Sequence, residues 1–277
     1  MATEKKNHLL LNLVSIILCI LFLFPLGWLL VTSLKSEYEV FATPPTFLPK
    51  RFYWGAYLSQ LNGQYNIYRA FLNSTVISTA TMVLSTVLSI PAAYGLARFK
   101  IRGKKFFILT FLVTQMLPAS LILTPLFIIF NKLNLINTYA SPIIACATIA
   151  IPFSVLILRT YFLTIPKELD ESARIDGCSP LTAFIKIMVP IAMPGVVVAT
   201  VFGFLFAWGN LIYGLTFINK DELRPITVGI YNNMQQYGTS WNAVMAFGAI
   251  AILPVVVIFV SLQKYIISGL TNGAVKG

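Results

Sequence analysis

The sequence predicts an all-α polytopic membrane protein in which six transmembrane helices form a single domain over residues 1–277. Hydrophobic residues make up 57% of the chain and charged residues only 10%. Average chains carry about 25% charged residues. A helix needs about 20 apolar residues to cross a bilayer, and several stretches of the sequence meet that need. The predicted spans cover residues 9–34, 71–97, 106–130, 142–162, 191–213 and 243–267.

The first predicted span follows two lysines, Lys5 and Lys6, as the apolar core of a signal peptide would. The apolar run is too long for a signal peptide, and no small-residue cleavage site follows it before Lys35. We therefore expect this segment to be retained as a membrane helix.

Basic residues are concentrated in the short connection between the second and third spans. They are Arg98, Lys100, Arg102, Lys104 and Lys105. The connection over 131–141 holds only Lys132. Because short cytoplasmic connections are enriched in Lys and Arg, the second span is predicted to end in the cytosol. The same flanking pattern accounts for the net charge of +11 without nucleic-acid binding.

This orientation places both termini inside the cell, together with the 98–105 connection and the 166–190 loop. The outer segments are then 35–70, 131–141 and 214–242. Prolines and aromatic residues in 35–70 predict an ordered crossing with an interfacial helix around 53–61. Segment 214–242 is polar enough either to reach a soluble partner or to remain a solvated loop.

The sequence lacks the residue patterns of several other functions. No Asp, Glu or His lies in the predicted spans, which argues against a proton-coupled transporter. There is no Gly-x4-Gly-Lys-Ser/Thr phosphate loop, no metal-ligand cluster and no nucleophile with a nearby base. We therefore expect a chain that is not an enzyme and holds no cofactor or metal. Energy for transport would come from another subunit.

Uncharged polar side chains occur within the spans, among them the amides of Asn73, Gln115 and Asn210. An unpaired amide is costly in lipid, so each of these either faces a translocation path or bonds a neighbouring helix. Trp208 either stacks on a sugar face or packs within the protein. These four residues are the candidate path residues.

The polar stretch 166–190 separates the fourth and fifth spans. An initial proline followed by three acids predicts a helix start, because acids favour the positive end of the helix dipole. Gly177 predicts a left-handed end of that helix. Ser179 and Pro180 then predict the cap and the first residue of a second helix, which runs to Val189.

The same loop carries a recognisable motif. It consists of Glu171-Ser-Ala173, Gly177 and Ile187-Met-Val-Pro190. In residues and spacing it resembles the EAA loop of permease subunits of binding-protein-dependent ABC importers, whose pattern is Glu-Ala-Ala, three residues, Gly, nine residues and Ile-x-Leu-Pro. Ser172 and Val189 replace an Ala and a Leu of that pattern, and both changes are small or isosteric.

The likeness extends over essentially the whole chain. Similar segments include Pro25-Leu-Gly-Trp28, Asn73-Ser-Thr75, Ala93-Tyr-Gly-Leu-Ala-Arg98 and the run from Lys264 to Gly277. The last run is similar to the tail of the six-span second permease of the maltose type. The chain resembles the oligosaccharide and multiple-sugar systems of Gram-positive bacteria, including those for α-galactosides. Trp208-Gly-Asn210 departs from the usual Trp-Asn followed by an acid.

The resemblance implies a type I importer fold with both termini in the cytosol, in a bacterial cell membrane. It also implies a homologous first permease, two cytosolic ATP-binding subunits that hold ATP and Mg²⁺, and an extracellular sugar-binding protein. The residues implied to dock on the ATPase are Glu168, Glu171, Ser172, Ala173, Asp176 and Gly177. The residues implied to contact the binding protein are Leu223, Arg224, Tyr231, Asn232, Gln235 and Tyr237.

The predicted function is the permease subunit of an ATP-driven sugar or oligosaccharide uptake system, coupled to its ATPase through the 166–190 loop. One alternative is a membrane sensor or scaffold that binds a soluble partner through the same loop without moving solute. Another is an importer of a non-sugar solute. Transport that depends on the loop separates the permease from the scaffold.

Overall fold

A computed structural model describes residues 2–62, 66–235 and 239–274, and the side chains of 11–61, 66–234 and 239–263. The described residues form helices and connecting turns, without strands. The helices are α1 (Ala2–Ser33), α2 (Glu37–Val40), α3 (Gly55–Asn62), α4 (Ile67–Arg98), α5 (Lys104–Met116), α6 (Ala119–Lys132), α7 (Ala140–Thr164), α8 (Glu168–Ile175), α9 (Pro180–Ala183), α10 (Val189–Ile191), α11 (Met193–Trp208), α12 (Ile212–Phe217), α13 (Ile226–Gln235) and α14 (Trp241–Ala274). A π turn covers Phe184–Met188 and a 3-10 turn covers Asp221–Leu223.

Four helical segments are long and apolar enough to cross a membrane, and they lie at four of the predicted spans. They are Leu11–Ser33, Ile67–Arg98, Ala140–Thr164 and Trp241–Gln263. Two further pairs of helices pass the same test but are sharply bent. The described part of the chain therefore has four candidate spans, or six if each bent pair is one span. The count of six and the orientation of the termini stay predictions.

The third predicted span is not one continuous helix, so the prediction for 106–130 is wrong in this respect. Helix α5 ends at Met116, α6 begins at Ala119, and their axes differ by 101°. Pro118 explains the break, because it has no N–H to donate to the preceding turn and disfavours helical geometry at Leu117. Leu117 accordingly has an extended ψ of 130°.

The fifth predicted span, 191–213, has different bounds. The preceding helical segment Pro180–Ile191 meets α11 at 78°, and α11 ends at Trp208 rather than at Tyr213. The Oδ1 atom of Asn210 accepts the backbone N–H of Tyr213 at 2.9 Å. This bond holds the first turn of the short helix α12, which takes the place of the predicted continuation of α11.

Backbone contacts divide the chain into two compact units. The first contains residues 1–67 and 229–252, and the second contains residues 68–228 and 253–277. The prediction of a single domain stays a prediction.

In the first unit, the start of α14 is capped by an acid from the region after α1. The Glu37 carboxylate accepts the backbone N–H groups of Trp241 at 3.1 Å and Asn242 at 3.3 Å. A carboxylate at this position satisfies orphan donors and favours the helix dipole. Nearby, the backbone N–H of Lys50 lowers the pKa of the Glu39 carboxyl. Helix α3 confirms a helix close to the predicted 53–61.

In the second unit, α4, α7 and α11 enclose an apolar core. Leu158 and Phe162 of α7 and Ala199 of α11 are fully buried in it. Helix α11 approaches α7 closely at Gly195, where a Cβ atom would lie 2.5 Å from the ring of Tyr161. Only glycine fits between the two helices at this point.

Candidate functional site

The loop after α7 folds as the predicted pair of helices around Gly177. Gly177 has a φ of +85°, in the left-handed region that favours glycine. Its N–H donates to the Arg174 carbonyl at 3.1 Å, and the N–H of Cys178 donates to the Ala173 carbonyl at 3.0 Å. These two bonds form a Schellman motif, which satisfies the last carbonyls of α8 and turns the chain.

The second helix of the loop begins as predicted but ends later. The Ser179 Oγ accepts the backbone N–H of Thr182 at 3.2 Å, and Pro180 is the first helical residue. The helical path then continues through the π turn and α10 to Ile191, so the predicted end at Val189 is wrong. A π turn widens the carbonyl spacing ahead of Pro190, which relieves the clash that a proline makes inside an α-helix.

One face of α8 is fixed to the membrane helices. Ala173 is 4% exposed and Asp170 is 9% exposed. The Tyr94 hydroxyl, on α4, donates to Asp170 Oδ2 at 3.3 Å, and Arg174 forms an ion pair with the same oxygen at 3.5 Å. Asp170 therefore links α8 to the end of α4.

A second contact joins α4 to the end of α7. Arg98 Nη2 donates to the Ile165 carbonyl at 2.7 Å. Ile165 directly follows the last residue of α7, so the guanidinium satisfies a terminal carbonyl and lies at the negative end of the helix dipole. The root of the loop is thus held by two side chains of one helix, Tyr94 and Arg98.

The other face of α8 is exposed. Of the residues predicted to dock on an ATPase, all except the buried Ala173 are exposed: Glu168, Glu171, Ser172, Asp176 and Gly177. Large apolar side chains are exposed beside them, including Ile175 at 86%, Leu181 at 66% and Ile185 at 55%. Large apolar side chains exposed together beside acids that have no ion-pair partner among the described residues are typical of a docking surface.

The supporting role of Tyr94, Arg98 and Asp170 was not predicted from the sequence. There, Asp170 was one of three acids at a predicted helix start, and Arg98 indicated the topology. Tyr94 and Arg98 are four residues apart and therefore share a face of α4. In the sequence, a tyrosine one turn before an arginine at the end of an apolar helix was the pattern that could have indicated this support.

At the opposite end of α4, Asn73 and Ser74 hold the segment around the 3-10 turn. Asn73 Nδ2 donates to the carbonyls of Glu222 at 2.9 Å and Arg224 at 3.0 Å, and its Oδ1 accepts the Tyr139 hydroxyl at 2.6 Å. Ser74 Oγ accepts the backbone N–H of Ile226 at 2.8 Å. This part of 214–242 is an anchored structure rather than a solvated loop.

The predicted contacts of a binding protein lie in different elements. Leu223 ends the 3-10 turn, and the Arg224 guanidinium pairs with Asp221 at 2.8 Å. Tyr231 and Asn232 are half-buried residues of α13. The side chain of Gln235, and Tyr237 as a whole, lie outside the described residues. The role of all six residues stays a prediction.

The remaining candidate path residues make contacts within the protein. Gln115 Nε2 donates to the Ile149 carbonyl of α7 at 3.0 Å. Trp208 is 4% exposed and stacks on Phe204 with ring centroids 5.6 Å apart. Like Asn73 and Asn210, these side chains stabilise the fold here, and their place in a translocation path stays a prediction. Within the described part of the chain, no group of three or more His, Cys, Asp or Glu residues could hold a metal ion.

Comparison with protein families gives a match over residues 85–272 to a family described as binding-protein-dependent transport system inner membrane component. The chain belongs to this family. The match covers the C-terminal part of α4, both bent helix pairs and the loop around α8. The chain is therefore a multi-pass membrane component of a transporter.

Individual relatives match nearly the whole chain. The arabinooligosaccharides transport system permease protein AraQ of Bacillus subtilis is 33% identical over 269 residues, which is 96% of this chain and 95% of the relative. The diacetylchitobiose uptake system permease protein DasC of Streptomyces coelicolor is 28% identical and covers 96% of each chain. The trehalose transport system permease protein SugB of Mycobacterium tuberculosis is 32% identical and covers 92% of this chain and 93% of the relative.

A solved structure shares the fold. It is the crystal structure of a bacterial ABC transporter involved in the import of the acidic polysaccharide alginate. One of its chains has a TM-score of 0.79 and 21% identity, with 96% of this chain and 98% of that chain covered. At this identity the likeness establishes the fold of an ABC importer permease.

Proposed function

We propose that this chain is a permease subunit of an ATP-driven importer of sugars or oligosaccharides. It would form the translocation path with a homologous permease and couple to cytosolic ATP-binding subunits through the 166–190 loop. The observation that carries the proposal is the difference between the two faces of helix α8. One face is held against α4, and the other is exposed and carries acids without an ion-pair partner among the described residues. Relatives named for arabinooligosaccharides, diacetylchitobiose and trehalose support the substrate class.

The geometry suggests how the coupling would work. An ATPase cleft that accepts Glu171 and the exposed Ile175 would hold α8 from outside. Because Asp170 and Ala173 fix the opposite face of α8, movement of the cleft would carry the end of α4 with it. ATP would then shift the population between two states of the membrane helices only if α8 is bound differently in each.

Topology follows the distribution of basic residues. With the 98–105 connection in the cytosol, α8 faces the ATPase and the segment anchored by Asn73 faces the outside. There it would meet an extracellular sugar-binding protein. ATP and Mg²⁺ would be held by the ATPase subunits, and this chain would contribute no cofactor site and no catalytic residue.

Co-purification of the full-length chain with its neighbours, followed by ATPase assays, tests this function. We expect a complex whose ATP hydrolysis is stimulated by its binding protein loaded with one class of oligosaccharide. Arabino-oligosaccharides, chitobiose derivatives, trehalose and α-galactosides form the panel. Stimulation by a non-sugar solute alone would contradict the substrate class. A stable complex without ATPase activity or transport would favour a scaffold.

A further inference from the structure

Arg159 is a charged residue in a membrane helix. It takes no part in the contacts described above for the 166–190 loop. It lies in α7 within the candidate span Ala140–Thr164, five residues before the helix ends. Its Nε atom is buried without a hydrogen-bond partner, and no carboxylate of the described residues lies within ion-pair distance. An unpaired cation within a membrane helix is costly, which favours a partner from outside the chain.

Two lysines share the surroundings of Arg159. Lys104 is the first residue of α5, which packs against α7, and Lys167 directly precedes α8. Gln115 at the end of α5 bonds Ile149 of α7, ten residues before Arg159. With α5 packed along α7, the start of α5 at Lys104 lies at the end of α7 that holds Arg159 and leads to Lys167. Lys104, Arg159 and Lys167 therefore form one basic cluster, and neither lysine has an ion-pair partner among the described residues. A bound anion would relieve the mutual repulsion of three cations.

The neighbours of the basic cluster favour one kind of anion. Phe107 lies one turn from Lys104 on the same face of α5 and is 46% exposed. Leu163 lies one turn from Arg159 on the same face of α7 and is 47% exposed. Positive charge next to exposed apolar surface, at the end of a membrane helix, suits a molecule with an anionic head and hydrocarbon chains.

We propose that the basic cluster binds the phosphate of an anionic phospholipid at the membrane interface beside the coupling loop. Arg159 presents a planar fork that matches phosphate oxygens, and the two lysines add point charges. Phe107 and Leu163 contact the acyl chains. The site is independent of the sugar and of the ATPase, so it goes beyond the proposed function.

Lipid titration of the delipidated protein tests the site. The full-length chain, purified with the subunits that accompany it, is titrated with phosphatidylglycerol, and retained lipid is counted by native mass spectrometry. One basic residue contributes about a fivefold change in affinity, so Arg159→Gln weakens phosphatidylglycerol binding by about that factor. Replacing all three cations with Gln weakens it on the order of a hundredfold.

Matched variants and ligands make the result specific. Lys132→Gln removes one exposed cation at the other end of the membrane helices and retains wild-type affinity. Phosphatidylcholine and inorganic phosphate bind at least tenfold more weakly than phosphatidylglycerol.

Equal phosphatidylglycerol affinity of the wild type and Arg159→Gln overturns the proposal. Equal affinity for inorganic phosphate and phosphatidylglycerol also overturns it, because the ligand is then a soluble anion. If the triple variant fails to elute as a folded complex, the single variants decide.

Discussion

At the residue scale, the fold of the 166–190 loop depends on the backbone conformation of Gly177 and on a buried contact made by Asp170. Gly177 supplies a left-handed backbone, and its missing Cβ would have met no atom within 4 Å. Its requirement is therefore conformational rather than steric. Tyr94 and Asp170 supply a buried contact between α4 and α8, with Asp170 Oδ1 still unpaired. Gly177 sets the bend after α8, and the Tyr94–Asp170 contact holds the face of α8 opposite its exposed acids.

Replacing Gly177 tests the bend directly. The left-handed backbone conformation costs a residue other than glycine about 1–2 kcal/mol. Asparagine is the exception that adopts this conformation most readily. We expect Gly177→Val to reduce uptake strongly and Gly177→Asn to retain most of it, measured with radiolabelled sugar in cells. Gly27→Ala adds a methyl group where nothing lies within 4 Å and is the control. Equal uptake by the valine and asparagine variants would show that the bend is not needed.

Removing the Tyr94 hydroxyl tests the contact behind α8. Tyr94→Phe takes a donor from a buried carboxylate and should destabilise the complex by about 1–3 kcal/mol, seen as a lower unfolding temperature. Tyr161→Phe is a matched control, because the Tyr161 hydroxyl has no hydrogen bond among the described residues. If both variants unfold at the same temperature, the Tyr94–Asp170 bond contributes nothing.

At the element scale, the sequence predicted the positions of most helices and missed where they break. Apolar length located α4, α7 and α14 because a bilayer sets that length. It could not separate α5 from α6, since a proline in a membrane helix either kinks it gently or ends it, and neighbouring helices decide which. Asn210 was similarly ambiguous, because its capping bond to Tyr213 depends on local backbone geometry.

The loop was more predictable than the site around it. Its signals are local: Gly177 for the left-handed end, and Ser179 with Pro180 for the next start. The supports of the loop come from α4, 76 residues earlier for Tyr94 and 67 residues earlier for Arg98. Which distant residue reaches Asp170 is decided by tertiary packing, and a single sequence does not carry that information.

The contact of α11 with α7 can be tested by adding one methyl group. In Gly195→Ala the new Cβ lies 2.5 Å from the Tyr161 ring, so we expect overpacking that destabilises the complex by about 1–3 kcal/mol in thermal unfolding. Gly209→Ala, where the nearest atom is 3.5 Å away, is the control. Combining Gly195→Ala with Tyr161→Ala should be less harmful than the sum of the two changes. Strict additivity would contradict the close approach.

Because α4 anchors the 222–226 segment, loosening that segment should affect stimulation by the binding protein without affecting basal ATP hydrolysis. Asn73→Ala removes the donor to two carbonyls and the acceptor of Tyr139, leaving buried groups unpaired. If this segment meets the binding protein, stimulation of ATP hydrolysis by that protein falls severalfold, whereas ATP hydrolysis without it is unchanged. Thr75→Ala, which loses a bond within its own helix, is the control. Unchanged stimulation in Asn73→Ala would separate this segment from binding-protein recognition.

At the scale of the whole molecule, function rests on a division of tasks among subunits. The family match and relatives that cover nearly the full chain make it a membrane component of a transporter. The 166–190 loop is the part that would couple this chain to ATP hydrolysis by the ATPase subunits. The acids on its exposed face and the contacts on its buried face suit that task together.

The most direct test reverses one charge on the exposed face of α8. Proteoliposomes with the complete complex and its binding protein are compared for ATP-driven sugar uptake, with the wild type, Glu171→Lys, Glu171→Gln and Thr164→Lys. Truncating or reversing one partner of a docking charge pair weakens binding by about 2–5 kcal/mol, so Glu171→Lys should lower uptake about thirtyfold or more. Glu171→Gln should be intermediate, and Thr164→Lys, on the exposed end of α7, near wild type. Wild-type uptake by Glu171→Lys, at equal amounts in the membrane, would contradict coupling through this loop.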